Sequence, residues 1–112
     1  MNNIVSKPWG YEKILVHNGK YAGKLIFIIH NCRTSYQYHK NKIESMYILQ
    51  GEVSMELGDD KKVIKMVEGD SVDIPAGMKH RTAAITDTKI IEISTPELDD
   101  IVRLEDDYGR TQ

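Results

Sequence analysis

The chain has 112 residues, of which 40% are hydrophobic and 29% are charged, and its formal net charge is −2. This length is enough for one small domain with a modest core. The nearly balanced charge, with both signs well mixed, argues against electrostatic binding to nucleic acid, which usually requires a basic stripe.

Segments that would direct the chain to a membrane or out of the cell are not evident. No apolar run approaches the roughly 20 residues of a membrane span, and the first residues lack a signal-peptide pattern. The single cysteine, Cys32, excludes a disulfide within the chain and favours a reducing compartment. We therefore expect one domain over residues 1–112, a cytoplasmic location, and neither a membrane nor a nucleic-acid partner.

Strand patterns follow one another through most of the chain. Short runs rich in apolar and β-branched residues are separated by Gly, Pro and Asp at intervals of about 8–12 residues, which is typical of antiparallel sandwiches and barrels. We predict seven or eight strands, including residues 24–30, a pair around Gln50-Gly51, residues 61–67, a short strand within 69–80, and a pair around Thr86-Asp87.

The last part of the chain predicts a short helical turn. Thr95 is a possible N-cap, and a rough helical stripe is formed by Leu98, Ile101, Val102 and Leu104. The acidic residues of this segment are interpreted as a solvated surface. They are Glu97, Asp99, Asp100, Glu105, Asp106 and Asp107.

Two stretches carry residues typical of metal ligands at characteristic spacings. The first runs Gln37-x-His39-x4-Glu44-x6-Gly51, and the second runs Gly69-x5-Pro75-x-Gly77-x2-His80. The pair resembles the two signature motifs of the cupin superfamily, in which His-x-His and Glu from the first motif and His from the second bind a metal ion. Gln37 occupies the first His position here, and Asn31 and Ala84 replace the usual Gly and Asn at the motif ends.

The resemblance implies an antiparallel cupin (jelly-roll-like) β-barrel with a metal site at Gln37, His39, Glu44 and His80. Residues two apart in a strand point the same way, so Gln37 and His39 share a face. Glu44 opens the next strand, and a turn at Pro75 and Gly77 aims His80 from a distant one. Imidazole nitrogens together with carboxylate and amide oxygens suit a divalent ion of Zn, Mn, Fe or Ni. Gln37 either binds the ion directly or holds a bound water.

The two ends of the chain indicate which family within the cupin superfamily this chain resembles most. The stretches "KPWGYEKIL" (7–15) and "ELDDIVRLEDDYGR" (97–110) bracket the motifs. This arrangement is similar to the C-terminal cupin domain of type II phosphomannose isomerase–mannose-1-phosphate guanylyltransferase proteins. A stand-alone relative of the isomerase half is expected, because no glycine-rich nucleotide loop is found. His39-Lys40-Asn41 replaces a run of histidines common in that family.

The resemblance implies isomerisation of a hexose phosphate, with the metal as Lewis acid and a cation for the phosphate. Arg33 lies four residues from Gln37 and is predicted to face the interior of the barrel. Arg110 is predicted to lie at the open end of the barrel, near the substrate. Glu92 is the predicted base if its strand turns Glu92 inward, leaving Ile91 and Ile93 outward; the opposite register is equally open. Other candidate cations are Arg81, Arg103, Lys7 and Lys79.

Other functions remain compatible with the same site. They are a dioxygenase, a nucleotide-sugar isomerase or epimerase, and a non-catalytic sugar- or metal-binding module. A homodimer is expected because a chain this short gains core by pairing.

Overall fold

A computed structural model describes residues 3–111, which form eleven strands and no helix. No helix of these residues is therefore available to cross a membrane. The strands are β1 Ile4–Lys7, β2 Gly10–His17, β3 Ala22–Ile28, β4 Tyr36–Tyr38, β5 Glu44–Gln50, β6 Glu52–Leu57, β7 Lys62–Val67, β8 Ser71–Ile74, β9 His80–Ala84, β10 Thr88–Ser94 and β11 Val102–Glu105.

All strand pairs are antiparallel, and they form two sheets. One sheet has the order β1-β2-β3-β10-β5-β8, and the other has the order β11-β4-β9-β6-β7. The predicted all-β antiparallel fold is confirmed, although each sheet keeps two edge strands and so the walls do not close into a continuous barrel.

The core lies between the sheets because alternate residues of each strand point inward. In β10, Ile90 and Glu92 are buried whereas Ile93 is 60% exposed. The apolar cluster draws on both sheets and includes Ile28, Ile48, Val53, Met55, Met66, Ile74 and Ile90. Polar residues replace apolar ones toward one end of this interior, where Glu44 and Glu92 are buried.

The helical turn predicted after Thr95 is not formed in the described residues. Residues 95–101 form an irregular loop with a turn at Leu98-Asp99, and Val102–Glu105 is strand β11, which pairs with β4. A short isolated helix has little stability of its own, so pairing with an exposed strand edge prevails over the weak helical pattern. This pairing covers β4, which carries Gln37.

Asn31, where the cupin motif usually has glycine, adopts a left-handed backbone with φ of 66°. Asn tolerates this region better than most residues other than Gly. The departure from the motif therefore leaves the turn before β4 intact.

Candidate metal centre

Three side chains with metal-ligand chemistry converge at the polar end of the interior. His80 begins β9, Glu44 begins β5, and His39 directly follows β4. His80 Nε2 lies 3.1 Å from Glu44 Oε1, and His39 Nε2 lies 3.5 Å from the same oxygen. One ligand atom from each of the three residues lies within 4.8 Å of the others, and all three are buried.

The sheet register and two turns bring these residues together. Gln37 in β4 lies directly opposite His80 in β9. Gly77, in the turn before β9, has φ of 83°, and its N–H donates to the His39 carbonyl over 2.7 Å. The turn predicted at Pro75 and Gly77 therefore forms and is tied to the first histidine.

Both histidines are oriented by backbone carbonyls. His39 Nδ1 bonds the Asp100 carbonyl, and His80 Nδ1 bonds the Met78 carbonyl at 3.0 Å. Because a carbonyl only accepts, each Nδ1 must donate, and a neutral ring then carries its lone pair on Nε2. Metal-binding histidines are held in the same way. Both Nε2 atoms face Glu44.

The ligand atoms have no hydrogen-bond partner among the described residues. They are His39 Nε2, His80 Nε2 and both carboxylate oxygens of Glu44. Lys42 Nζ lies 3.1 Å from Glu44 Oε2, an ion-pair distance without hydrogen-bond geometry. Buried polar atoms left without partners are destabilising, and a cation among the three would satisfy them. The donors therefore fit a divalent metal ion.

The electrostatics of the cluster favour an ionised carboxylate. Burial alone would raise the pKa of Glu44, but without a metal ion, donation from protonated His39 and His80 rings, together with the Lys42 charge, holds it well below its usual range. Burial likewise opposes protonation of His39, yet contact with Glu44 leaves the pKa of His39 raised. A negative charge is therefore held between two imidazoles, as a cation site requires.

Asp100 organises the first motif, a role that the sequence interpretation missed. Its carboxylate accepts hydrogen bonds from the backbone N–H groups of Lys40, Asn41 and Lys42 at 2.7–3.0 Å. These bonds, with that from Asn41 the strongest, lower the pKa of Asp100 to about 2. Asp100 is therefore not merely a solvated acid. No local spacing signals this contact, which spans about 60 residues of chain.

Gln37 lies beside the cluster. It lines the cavity, and its Oε1 accepts a hydrogen bond of 2.6 Å from Ser35 Oγ. One lone pair of this oxygen stays available, so both interpretations of Gln37, as a ligand or as the partner of a bound water, stay predictions.

A polar cavity of about 300 Å³ opens over the cluster, and His39, Gln37 and Glu92 contribute to its wall. Glu92 is buried, which settles the open question of its register in favour of the inward orientation. Its Oε2 accepts a hydrogen bond of 3.0 Å from Lys42 Nζ. Burial and then the Glu44 carboxylate raise the pKa of Glu92 to about 7, although Lys42 opposes them.

The two predicted arginines occupy different places. Arg110 lines a smaller, mainly apolar part of the cavity and forms a two-bond ion pair with Asp106 at 2.9 Å. Arg33 does not reach the cavity; it is 43% exposed and bonds Asp107 at 2.7 and 2.8 Å. Its predicted inward orientation is wrong because β4 begins only at Tyr36, so strand alternation does not extend from Gln37 back to Arg33.

The family comparison covers most of the chain. A family model described as "Mannose-6-phosphate isomerase C-terminal" matches residues 1–106. This range contains all three residues of the metal-type cluster.

Curated relatives match the chain over nearly its whole length. Xanthan biosynthesis protein XanB of Xanthomonas campestris pv. campestris is 30% identical over 96% of the chain, and alginate biosynthesis protein AlgA of Pseudomonas aeruginosa is 32% identical over 96%. Mannose-1-phosphate guanylyltransferase of Salmonella montevideo is 30% identical over 95%. The chain spans only 23–24% of the length of these relatives.

Solved structures establish the fold. An RmlC-like cupin from Shewanella frigidimarina superposes with a TM-score of 0.77 at 19% identity, covering 89% of this chain and 88% of that one. KdgF from Halomonas sp. gives a TM-score of 0.77 at 21% identity, covering 84% of each chain. The fold is that of the cupins.

Proposed function

Because this chain belongs to the family of mannose-6-phosphate isomerase C-terminal domains, we propose that it binds a divalent metal ion and interconverts an aldose and a ketose hexose phosphate. His39, Glu44 and His80 are the proposed ligands, with the amide of Gln37 beside them. The observation that carries the proposal is the set of buried, unpartnered ligand atoms at the base of a cavity lined by Glu92 and by several cationic side chains.

The reaction requires a proton to move between C2 and C1 of the sugar. Glu92 is the proposed base: its carboxylate takes the proton from one carbon and returns it to the other. Lys42, 3.0 Å from Glu92 Oε2, holds that carboxylate in place. The metal, when bound, supplies Lewis-acid polarisation of the sugar carbonyl. The cations of the cavity bind the phosphate.

A coupled assay with mannose 6-phosphate tests this function directly. The chain loaded with Zn²⁺ or Mn²⁺ is expected to form fructose 6-phosphate, at a turnover in the usual enzyme range of roughly 1–10³ s⁻¹. Chelation should abolish turnover, and unphosphorylated mannose should not react. Absence of turnover by protein that retains its metal would refute the isomerase proposal while leaving metal binding standing.

Asp100→Ala is expected to weaken metal binding by about tenfold, the lower end of the effect of residues that orient ligands. The substitution removes the acceptor for three backbone N–H groups between His39 and Glu44. Competition with a coloured chelator measures the affinity. Asp99→Ala is the matched control, since Asp99 is exposed in the same loop. Equal affinity in the two variants would mean that Asp100 does not order the ligands.

The homodimer stays a prediction. Residues on the outer face of the six-stranded sheet support it, because Tyr47, Leu49 and Ile93 are 44–60% exposed there. Light scattering of the purified protein gives its mass in solution.

A further inference from the structure

Five cationic side chains line the two connected parts of the cavity, and three of them are already paired with carboxylates. The paired residues are Lys24 with Glu12 at 3.0 Å, Lys42 with Glu92 at 3.0 Å, and Arg110 with Asp106 at 2.9 Å. The other two are Lys7 and Arg103, for which no carboxylate of residues 3–111 lies within ion-pair distance. Two positive charges therefore face the cavity without a direct ion pair, although the Glu12 carboxylate also lines the cavity and acts on both from a longer distance.

Arg103 is placed by the sheet register on the same face as the metal cluster. It lies opposite Gln37 across the β11–β4 pair, and Gln37 lies opposite His80 across the β4–β9 pair. Directly opposite residues of antiparallel strands project to the same side. Because β4 lies between β11 and β9 and neighbouring strands are about 4.8 Å apart, the backbones of Arg103 and His80 are about 10 Å apart. Arg103 therefore lies beside the metal cluster and not within it.

The Arg103 side chain also has unused hydrogen-bonding capacity. Its Nε is buried without a hydrogen-bond partner among the described residues. A buried guanidinium donor is normally paired, and the planar group matches a phosphate in a two-bond arrangement. The position is therefore suited to an anion that the chain itself does not supply.

Lys7 lies close enough to Arg103 for the two charges to repel. Burial lowers the pKa of Lys7, Glu12 opposes this effect, and Arg103 adds a smaller lowering. Burial and the neighbouring Arg110 lower the pKa of Arg103, and the more distant carboxylates of Asp106 and Glu12 oppose them only in part. A dianion bound between Lys7 and Arg103 would relieve this repulsion.

We propose that Arg103 and Lys7 form an oxyanion subsite that holds the phosphate group of a phosphomonoester substrate. The identity of that ligand rests on the proposed function, whereas the subsite itself rests on the two unpaired cations. In a hexose 6-phosphate the phosphate is at the opposite end of the sugar from C1 and C2. The lateral separation of Arg103 from His80 accommodates this length.

Isothermal titration of the full chain with inorganic phosphate tests the subsite. Arg103→Gln is expected to weaken phosphate binding by about 10- to 100-fold, the effect of losing a charge-assisted hydrogen bond. Lys7→Gln should weaken it in the same direction. Lys62→Gln, an exposed lysine in β7, is the matched control and should bind as the wild type does. His80→Ala should retain phosphate binding.

Wild-type affinity in Arg103→Gln would overturn the proposal, and so would loss of phosphate binding in His80→Ala, which would assign the anion to the metal cluster. If Arg103→Gln does not fold, as judged by circular dichroism, Lys7→Gln and Arg103→Lys carry the test, and unchanged affinity in both would overturn it. The titration does not involve turnover. A chain that binds phosphate through Arg103 but isomerises nothing would refute the proposed function and leave this subsite intact.

Discussion

Replacing Glu44 by Gln is expected to lower the affinity for Zn²⁺ or Mn²⁺ by more than about a hundredfold, since substituting residues that merely orient ligands already costs 10- to 100-fold. Glu44 Oε1 is the atom on which both imidazoles converge, at 3.1 and 3.5 Å. Gln preserves the volume of this fully buried side chain but removes its negative charge. The remaining histidines then face a neutral amide, which is a poor ligand.

Metal content measured by inductively coupled plasma mass spectrometry, after dialysis, provides the readout. His39→Ala and His80→Ala should lose the metal as Glu44→Gln does. His30→Ala is the control, because that ring is 60% exposed and bonds Asp87 on the surface. Wild-type metal content in all three cluster variants would eliminate the site.

Thermal unfolding gives an independent measure of the same site. A ligand that binds only the folded state stabilises it, by about 2.7 kcal/mol at a concentration of 100 times Kd. Chelation should therefore lower the melting temperature of the wild type and leave that of Glu44→Gln unchanged. An equal fall in both proteins would show that the chelator acts elsewhere.

The orientation of each ligand-type residue on its own strand or turn was predictable from the sequence, because it depends on residues close in the chain. Strand alternation and the short turn at residues 40–42 relate His39 to Glu44, and the Pro75–Gly77 turn presents His80. Their meeting across the sheet depends on the Gln37–His80 register, which the local pattern does not determine. The family resemblance implied a common metal site for these residues but not this pairing.

The segment after Thr95 was harder to interpret because its conformation depends on distant partners. Its stripe of apolar residues is compatible with a helix, but pairing of β11 with β4 decides the outcome. The same pairing brings Arg103 opposite Gln37 and Asp100 onto the loop after β4. If residues 102–105 are taken as helix, neither Arg103 nor Asp100 can be located at the site. The prediction of Arg33 instead rested on its spacing of four residues from Gln37, which requires a strand longer than β4.

Glu92→Gln is expected to slow isomerisation of mannose 6-phosphate by about 10²- to 10⁴-fold, the usual contribution of a general base, without loss of metal. Glu92 lies in β10 with its side chain in the cavity wall, and its backbone is opposite Met46, two residues from Glu44 along β5. Gln retains the shape of the side chain and a group for Lys42 to bond. It cannot accept a proton from carbon.

Exchange of the C2 hydrogen of mannose 6-phosphate with deuterated solvent, followed by NMR, separates proton transfer from other steps. This exchange should fall in parallel with turnover in Glu92→Gln. Glu52→Gln is the matched control, since Glu52 pairs with Lys65 on the surface at 3.4 Å. Wild-type exchange in Glu92→Gln would exclude Glu92 as the base. Loss of exchange together with loss of metal would also exclude it, because the residue would then act through the ligand cluster and not on the substrate.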